Sequence, residues 1–334
     1  MTTLITITCY SASLVMEKMP LDYITVKVPA TSANMGPGFD VFALALEKPS
    51  DKVTLLRKPS GIKIEVTGIL AETISTVPEE NSAGIVAKQI LKKYDLSTGV
   101  LVRIEKGIIP GRGLGSSAAS AAAVAYGMNR MFDLDLCREK LVWLAAKGEV
   151  ASAGSAHADN VSAAICGGFV IIRSYDPLEI VCLDAPENMQ LCVAVPELNV
   201  PVSKTKKARS VVPKHIPMEK HVWNLGKAAA IAAGFVLGDV DLIGKSMCDA
   251  IVEPARAFLI PGYIQVKEKA FEAGACGVTI SGAGPAMLAV VNSKRADTQK
   301  VADAMHEGFK SAGVRAEVFT TRPGKGATVL EERH

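Results

Sequence analysis

The segment Pro110-Gly111-Arg112-Gly113-Leu114-Gly115-Ser116-Ser117-Ala118-Ala119-Ser120 sets three glycines between a β-branched run and an alanine-rich run. The first run, Gly99 to Glu105, alternates as a strand does, and the second, Leu114 to Met131, carries helical spacing. Glycine permits positive φ and close approach of backbone to a ligand, and the free N–H groups of the helix that follows point at whatever lies above them. A phosphate suits that place, because the helix dipole and several N–H donors act on it together. Ser116 and Ser117 add hydroxyls for a phosphate oxygen or a hydrated magnesium ion. The loop is neither GxxxxGK[ST], which needs a Lys that is missing here, nor GxGxxG, whose third glycine would fall later. Taken alone, such a turn is more readily explained by close helix packing.

Outward from this loop, the 334 residues suffice for about two domains of ordinary size. Hydrophobic residues at 49% against 21% charged fit a globular chain rather than a disordered one. The 37 Lys and Arg against 34 Asp and Glu leave a net charge of +3, too weak to serve as a footprint for nucleic acid, so an anionic partner must be held locally. The seven cysteines have no CxxC spacing, which argues against a zinc site or a disulfide framework and for a reduced, cytoplasmic protein. Residues 1–15 lack the basic start and the long apolar stretch of a secretory signal, and Met16 or Met19 is an alternative start, so residues 1–20 are given no function. No membrane association is expected.

Strands are predicted over Tyr23–Val28, Asp51–Arg57, Ile62–Val66, Gly99–Glu105 and Gly167–Arg173, and helices over Asn81–Lys93, Leu114–Met131 and Leu136–Val150. Polar residues with Pro177 and Pro186 mark a boundary within Ser174–Glu187, and the expected units are 21–178 and 179–334. The second unit is expected to hold strands Met189–Val195, Cys276–Ser281, Ala286–Asn292 and Val314–Thr320, with helices Met218–Leu237, Leu242–Val252 and Asp297–Ala312. The fold class is therefore α+β: a mixed sheet covered by helices, followed by a ferredoxin-like α/β sandwich.

Two further motifs accompany the central one: Pro29-Ala-Thr-Ser-Ala-Asn-Met-Gly-Pro-Gly-Phe-Asp40, and Ile280-Ser-Gly-Ala-Gly-Pro-Ala286. The three, in this order, resemble the motifs of the GHMP kinases (galactokinase, homoserine kinase, mevalonate kinase and phosphomevalonate kinase). The first has the form typical of homoserine kinases. The resemblance spans residues 29–286 and implies the two-domain GHMP kinase fold, whose N-terminal domain resembles a ribosomal-protein-like fold. It also implies transfer of the ATP γ-phosphate to a small alcohol with Mg2+, and a homodimer.

Residue by residue, the resemblance assigns ATP to Pro110, Gly111, Arg112, Gly113, Leu114, Gly115, Ser116, Ser117 and Ala118, closed over by Gly282 and Gly284. Asn81 resembles an adenine contact and would serve equally as a helix N-cap. Glu149 resembles the glutamate that holds magnesium opposite the second serine, Ser117. L-Homoserine carries an ammonium, a carboxylate and a hydroxyl. Asn34, Asp40, His157, Asn160, Arg209 and Arg256 resemble the residues that face it, and Arg suits the carboxylate through its planar fork. Asn160, Arg209 and Glu149 are expected to be the catalytic groups. Asn160 stands where mevalonate kinases and galactokinases hold an aspartate base, and an amide cannot accept a proton at neutral pH. Open alternatives are another GHMP kinase, acting on shikimate, mevalonate or diphosphocytidyl-methylerythritol, and a ligand sensor that has lost turnover.

Overall fold

In the computed structural model, residues 20–149, 157–199 and 204–334 are described. The first sheet runs in the order β11 (Thr328–Arg333), β1 (Tyr23–Asn34), β2 (Gly38–Lys58), β4 (Gly99–Lys106), β3 (Ile62–Gly68). The 21-residue β2 also pairs, through Phe42–Leu44, with β5 (Phe169–Tyr175), which in turn carries β6 (Leu178–Leu183). Four helices pack together over this sheet: α1 (Ser82–Lys93), α2 (Ser116–Met131), α3 (Arg138–Gly148) and α4 (Asp159–Cys166). The central one is α2, whose run of Ala and Ser is buried along nearly its whole length. Small side chains let sheet and helices approach its backbone from every side, which explains an alanine-rich helix at the centre of a core.

The second sheet has the order β10 (Ala316–Thr321), β7 (Met189–Pro196), β9 (Met287–Asn292), β8 (Gly277–Ile280), with every neighbour antiparallel. This is the strand order of a ferredoxin-like sandwich, as expected from the sequence. Its helices are α9 (Tyr263–Glu272) and α10 (Thr298–Ser311), which bury Val266, Ala270, Val301, Met305 and Phe309 against it. Between β7 and β8 the chain also forms α5 (Lys204–Ser210), α6 (Met218–Leu237), α7 (Val240–Ser246) and α8 (Val252–Ala257).

Three expectations are corrected. The division at residue 178 does not follow the sheets: β6 belongs to the first, and β11 returns from the second unit to pair with β1. That return is invisible to local periodicity, because strand pairing across the whole chain is a tertiary choice. The helix expected over Leu242–Val252 is two helices, α7 and α8, because Asp249 turns the chain between them. Its carboxylate accepts the N–H groups of Ile251, Val252 and Glu253 at 2.7–2.9 Å. The helix expected to begin at Leu114 begins at Ser116, since Gly115 precedes it with φ of 65°. The far end of the Leu136–Val150 expectation, Val150, lies outside the described residues, as do residues 1–19.

Candidate active site

The three glycine motifs, remote in sequence, meet at one point. Ser281 Oγ donates to the Gly113 carbonyl at 2.8 Å and lies 2.9 Å from Ser32 Oγ. The Ala286 N–H reaches the Arg112 carbonyl at 3.0 Å, Gly282 N–H the Ala33 carbonyl at 3.1 Å, and Thr31 N–H the Leu114 carbonyl at 3.1 Å. Gly113 has φ of 86°, and a Cβ there would lie 2.3 Å from the Ser281 carbonyl oxygen. At Gly115 an added Cβ would sit 2.0 Å from Thr31 Oγ1. Backbone fills the space at Gly113 and the Thr31 side chain fills it at Gly115, and both positions have positive φ, so glycine fits at each.

Beneath the loop lies a buried ion pair. Lys106 Nζ bonds Asp51 and reaches the Ser116 carbonyl at 3.0 Å and Ser120 Oγ at 3.3 Å. The other Asp51 oxygen accepts the Gly107 and Ile108 N–H groups, each at 2.9 Å. The pair thus ties the chain entering the loop to the first turn of α2. Ser116 Oγ turns inward to the Ile108 carbonyl at 3.2 Å, so its hydroxyl braces the loop. The Arg112 guanidinium points away from the loop, onto the carbonyls of Pro196 at 3.3 Å and Leu198 at 2.6 Å. What Arg112 offers a nucleotide is therefore its backbone, and its side chain fastens the loop to the second unit.

Ser117 Oγ donates to Glu149 Oε2 at 3.1 Å. Burial pushes the Glu149 carboxyl up to about 7. Asn81 is a helix N-cap: its Oδ1 accepts the Ala83 N–H at 3.0 Å, and its Nδ2 donates to the Ser75 carbonyl at 2.7 Å. Both halves of that amide are engaged in holding α1.

Beyond the loop lies a charged cluster. One Arg209 Nη2 donates to both oxygens of Asp40 at 2.8 Å, and stands 3.2 Å from His157 Nδ1. Asn34 fixes the turn that presents Asp40: its Oδ1 accepts the Asp40 N–H at 3.2 Å, and its Nδ2 donates to the Gly282 carbonyl at 2.8 Å. The Tyr175 hydroxyl donates to the Asp40 carbonyl at 2.6 Å. Arg256, buried, donates from Nε to the Ala208 carbonyl at 2.9 Å and from Nη1 to the Gly282 carbonyl at 3.2 Å. Burial brings it down to about 10, so it stays a cation at neutral pH. Both guanidinium groups lie 5.1 Å from the Phe39 ring centre, within cation–π range. Burial and the facing Arg209 hold His157 below the ordinary histidine value, which leaves the ring neutral at pH 7. Asn160 joins the two halves: its Oδ1 accepts from Thr31 Oγ1 at 2.8 Å, beside Gly115. Asp159, also buried, turns inward and accepts the Asn160 N–H at 2.7 Å.

The sequence reading did not single out Thr31, Ser32, Phe39 and Ser281 within the motifs it quoted, nor Asp51, Lys106 and Tyr175 outside them. The last group left a partial signal. Asp51 and Lys106 fall in the inward phase of their strands, with Val53 and Leu55 on one and Val102 and Ile104 on the other. A charge in that phase asks for a buried partner.

Comparisons with known proteins give the family. The profile of the GHMP kinases N terminal domain matches residues 81–168, and that of the GHMP kinases C terminal matches 229–311. A homoserine kinase of Methanococcus vannielii is 44% identical over 311 residues, 92% of this chain and 98% of its own. One from Methanococcus maripaludis is 46% identical over 310 residues, with the same shares. The crystal structure of homoserine kinase from Cytophaga hutchinsonii superposes with a TM-score of 0.85 at 36% identity, covering 97% of this chain and all of that one. The chain belongs to the homoserine kinase family of GHMP kinases. The L. major mevalonate kinase, at 15% identity and a TM-score of 0.61, shares the fold.

Two expected outcomes follow from the buried charges. Lys106→Met leaves the Asp51 carboxylate buried without its cation, and chemical denaturation should show a loss of about 3–5 kcal/mol. Burial raises the Asp159 carboxyl from 3.8 to about 6. A raised folded-state value means stability that is present below about pH 4 and lost as pH climbs through about 6, up to about 3 kcal/mol. Asp159→Asn removes that loss, so the melting temperature of the variant relative to wild type should rise between pH 4 and pH 7.5. An unchanged difference across that range would contradict the assignment.

Proposed function

We propose that this chain transfers the γ-phosphate of ATP to the side-chain hydroxyl of L-homoserine, giving O-phospho-L-homoserine, on the route to threonine and in the cytoplasm. The observation that carries the reading is the Asp40–Arg209 ion pair beside buried Arg256, adjacent to the phosphate loop through Asn160 and Gly282. An amino-acid zwitterion is complementary to such a pair. Its ammonium takes the Asp40 carboxylate, its carboxylate takes the guanidinium forks of Arg209 and Arg256, and its side chain is left free to reach the loop. Mevalonate or shikimate has no ammonium and would leave Asp40 uncompensated, so the cluster selects by charge as well as shape.

ATP phosphates are read as held by the loop of residues 110–118 at the N-terminus of α2, with Gly282 and Gly284 above. The donor set at Ser117 and Glu149 is a hydroxyl and a carboxylate 3.1 Å apart, oxygen alone, which fits a magnesium ion that takes few protein ligands and keeps phosphate and water for the rest. Bound there, the cation would neutralise charge on the phosphates. A proton on Glu149 must leave for this. The near-neutral carboxyl makes that loss inexpensive at pH 7.5.

Among the described residues none is a well-placed general base. The Asn160 amide cannot take a proton, His157 is turned to Arg209, and Asp159 points at the backbone N–H of its neighbour. Rate is assigned to alignment and charge neutralisation in a loose phosphoryl-transfer transition state, with Arg209 and Asn160 orienting the acceptor. A ligand sensor would have little use for the Ser117–Glu149 pair, which favours turnover.

An ADP-release assay over homoserine, mevalonate and shikimate tests the substrate. Homoserine should lead by at least about tenfold in kcat/KM, about 1.4 kcal/mol, and equal use of mevalonate would sink the reading. Glu149→Ala should remove turnover and leave folding intact. Arg256→Ala should raise the homoserine KM more than it lowers kcat, and Asp159→Asn should keep most of the wild-type kcat. Abolished turnover in a folded, ATP-binding Asp159→Asn would instead name that carboxylate as the base.

A further inference from the structure

Away from the site, at the outer edge of the first sheet, two cysteines from different elements lie side by side. Cys166 is the last residue of α4, and Gly167 and Gly168, with φ of 76° and 59°, turn the chain from there into β5. The outer strand β6 folds back on β5 and sets Cys182 opposite Val170, whose side chain is buried in the core. Residues opposite one another on two paired strands share a face, so Cys182 turns toward the helix layer. There the Cys166 thiol donates a hydrogen bond to its sulfur. Arg138, the first residue of α3, donates from Nη1 to the same sulfur at 3.7 Å. Both thiols are free and half-buried, within reach of a small reagent from solvent. The site chemistry described above uses neither of them.

We propose that Cys166 and Cys182 are a modification site, a dithiol that a hydroperoxide converts to a reversible disulfide. The pair is polarised for that chemistry. The hydrogen bond from Cys166 and the Arg138 guanidinium hold the Cys182 thiol below its ordinary value, the same bond and burial hold Cys166 above its own, and Glu139 opposes ionisation of both. Cys182 is therefore the attacking thiolate, and Cys166 keeps the proton. Attack of the Cys182 sulfur on a peroxide oxygen forms an S–O bond and breaks the O–O bond. The departing hydroxide or alkoxide takes a proton from water, which leaves a sulfenic acid. The Cys166 sulfur then attacks the Cys182 sulfur, the S–S bond forms, the S–O bond breaks, and the released hydroxide leaves as water with the Cys166 proton. The two sulfurs lose two electrons in all, and the peroxide gains both. Because the resolving thiol already touches the sulfur that is oxidised, the sulfenic acid is consumed before a second peroxide reaches it. The bond ties the C-terminus of α4, whose first turn bears Asn160, to β6. A metal ion suits the place less well, since two sulfurs and a guanidinium are a poor ligand set, and among the described residues no group of three or more His, Cys, Asp or Glu gathers to hold one.

Thiol counting and peptide mapping test this without substrate, so the outcome is independent of the kinase reaction. A few equivalents of hydrogen peroxide should remove two of the seven thiols of the full chain and join the Cys166 and Cys182 peptides, and dithiothreitol should restore both. Cys137 is exposed, so it would react first if exposure alone decided the order. Cys166→Ser should leave Cys182 as a sulfenic acid that dimedone traps. Arg138→Gln, at the surface, should slow the loss of the Cys182 thiol several-fold with unchanged far-ultraviolet circular dichroism. A wild type that keeps all its thiols, oxidation of Cys137 ahead of Cys182, or a Cys182 carried to sulfinic acid beside a reduced Cys166 each overturns the assignment. An unchanged rate in Arg138→Gln overturns the part given to that guanidinium.

Discussion

Everything at the site is organised around the Ser281 hydroxyl, which touches the Gly113 carbonyl and the Ser32 hydroxyl at the same time. Through it, segments 249 residues apart in sequence are held within hydrogen-bond distance. The contact demands glycine at 113, because the Ser281 backbone occupies the space a side chain would need. Two residues on, Gly115 with φ of 65° starts α2, and the Thr31 N–H on the Leu114 carbonyl holds that start, so the free N–H groups of the first turn have a set direction. The positive end of a helix is useful for binding an anion only if its aim is rigid, since a fixed dipole costs no reorganisation when charge arrives.

The two units of the molecule cooperate through the same geometry. The first sheet and its helices supply the loop, Asp40, Asn160 and Glu149. The second unit supplies Arg209, Arg256 and the glycine loop that closes the cluster. Neither unit contains a complete site. Arg112 reaches across to the carbonyls of Pro196 and Leu198, and β11 crosses back to pair with β1, so the chain is bound together both at the site and far from it. Asp249 has the corresponding role for Arg256: by capping α8 and bonding Asn224 of α6 at 2.8 Å, it fixes the helix from which that guanidinium projects.

Charge at this site is arranged at a cost to stability. Glu149 and Asp159 are both buried, and burial raises both carboxyls toward neutrality. A core selected for stability alone would not hold two such groups near one another. For Glu149, beside the Ser117 hydroxyl, the proposed magnesium ion would offset that cost, because a cation favours the charged carboxylate. The neighbouring Lys106–Asp51 pair answers a different need. Its hydrogen bonds go to the backbone on either side of the loop, so it acts as a brace.

The sequence by itself determined the local chemistry. Glycine spacing, β-branched alternation and alanine-rich helical periodicity gave the strand–loop–helix at residues 110–120, the layer class and most elements, because each depends on residues close along the chain. The family resemblance also named the majority of the residues that gather here: Asn34 and Asp40 lie in its first motif, and Arg209 and Arg256 lie outside all three. Tertiary structure alone decided the return of β11 to the first sheet, the break between α7 and α8, the inward turn of Ser116, the outward reach of Arg112 and the pairing of Lys106 with Asp51. The return of β11, the reach of Arg112 and the Lys106–Asp51 pair rest on partners tens or hundreds of residues away, whereas the Asp249 break and the Ser116 turn rest on side-chain hydrogen bonds to nearby backbone that periodicity does not report. Periodicity reports which face of an element is buried, and it carries no information about what lies on the other side of the contact.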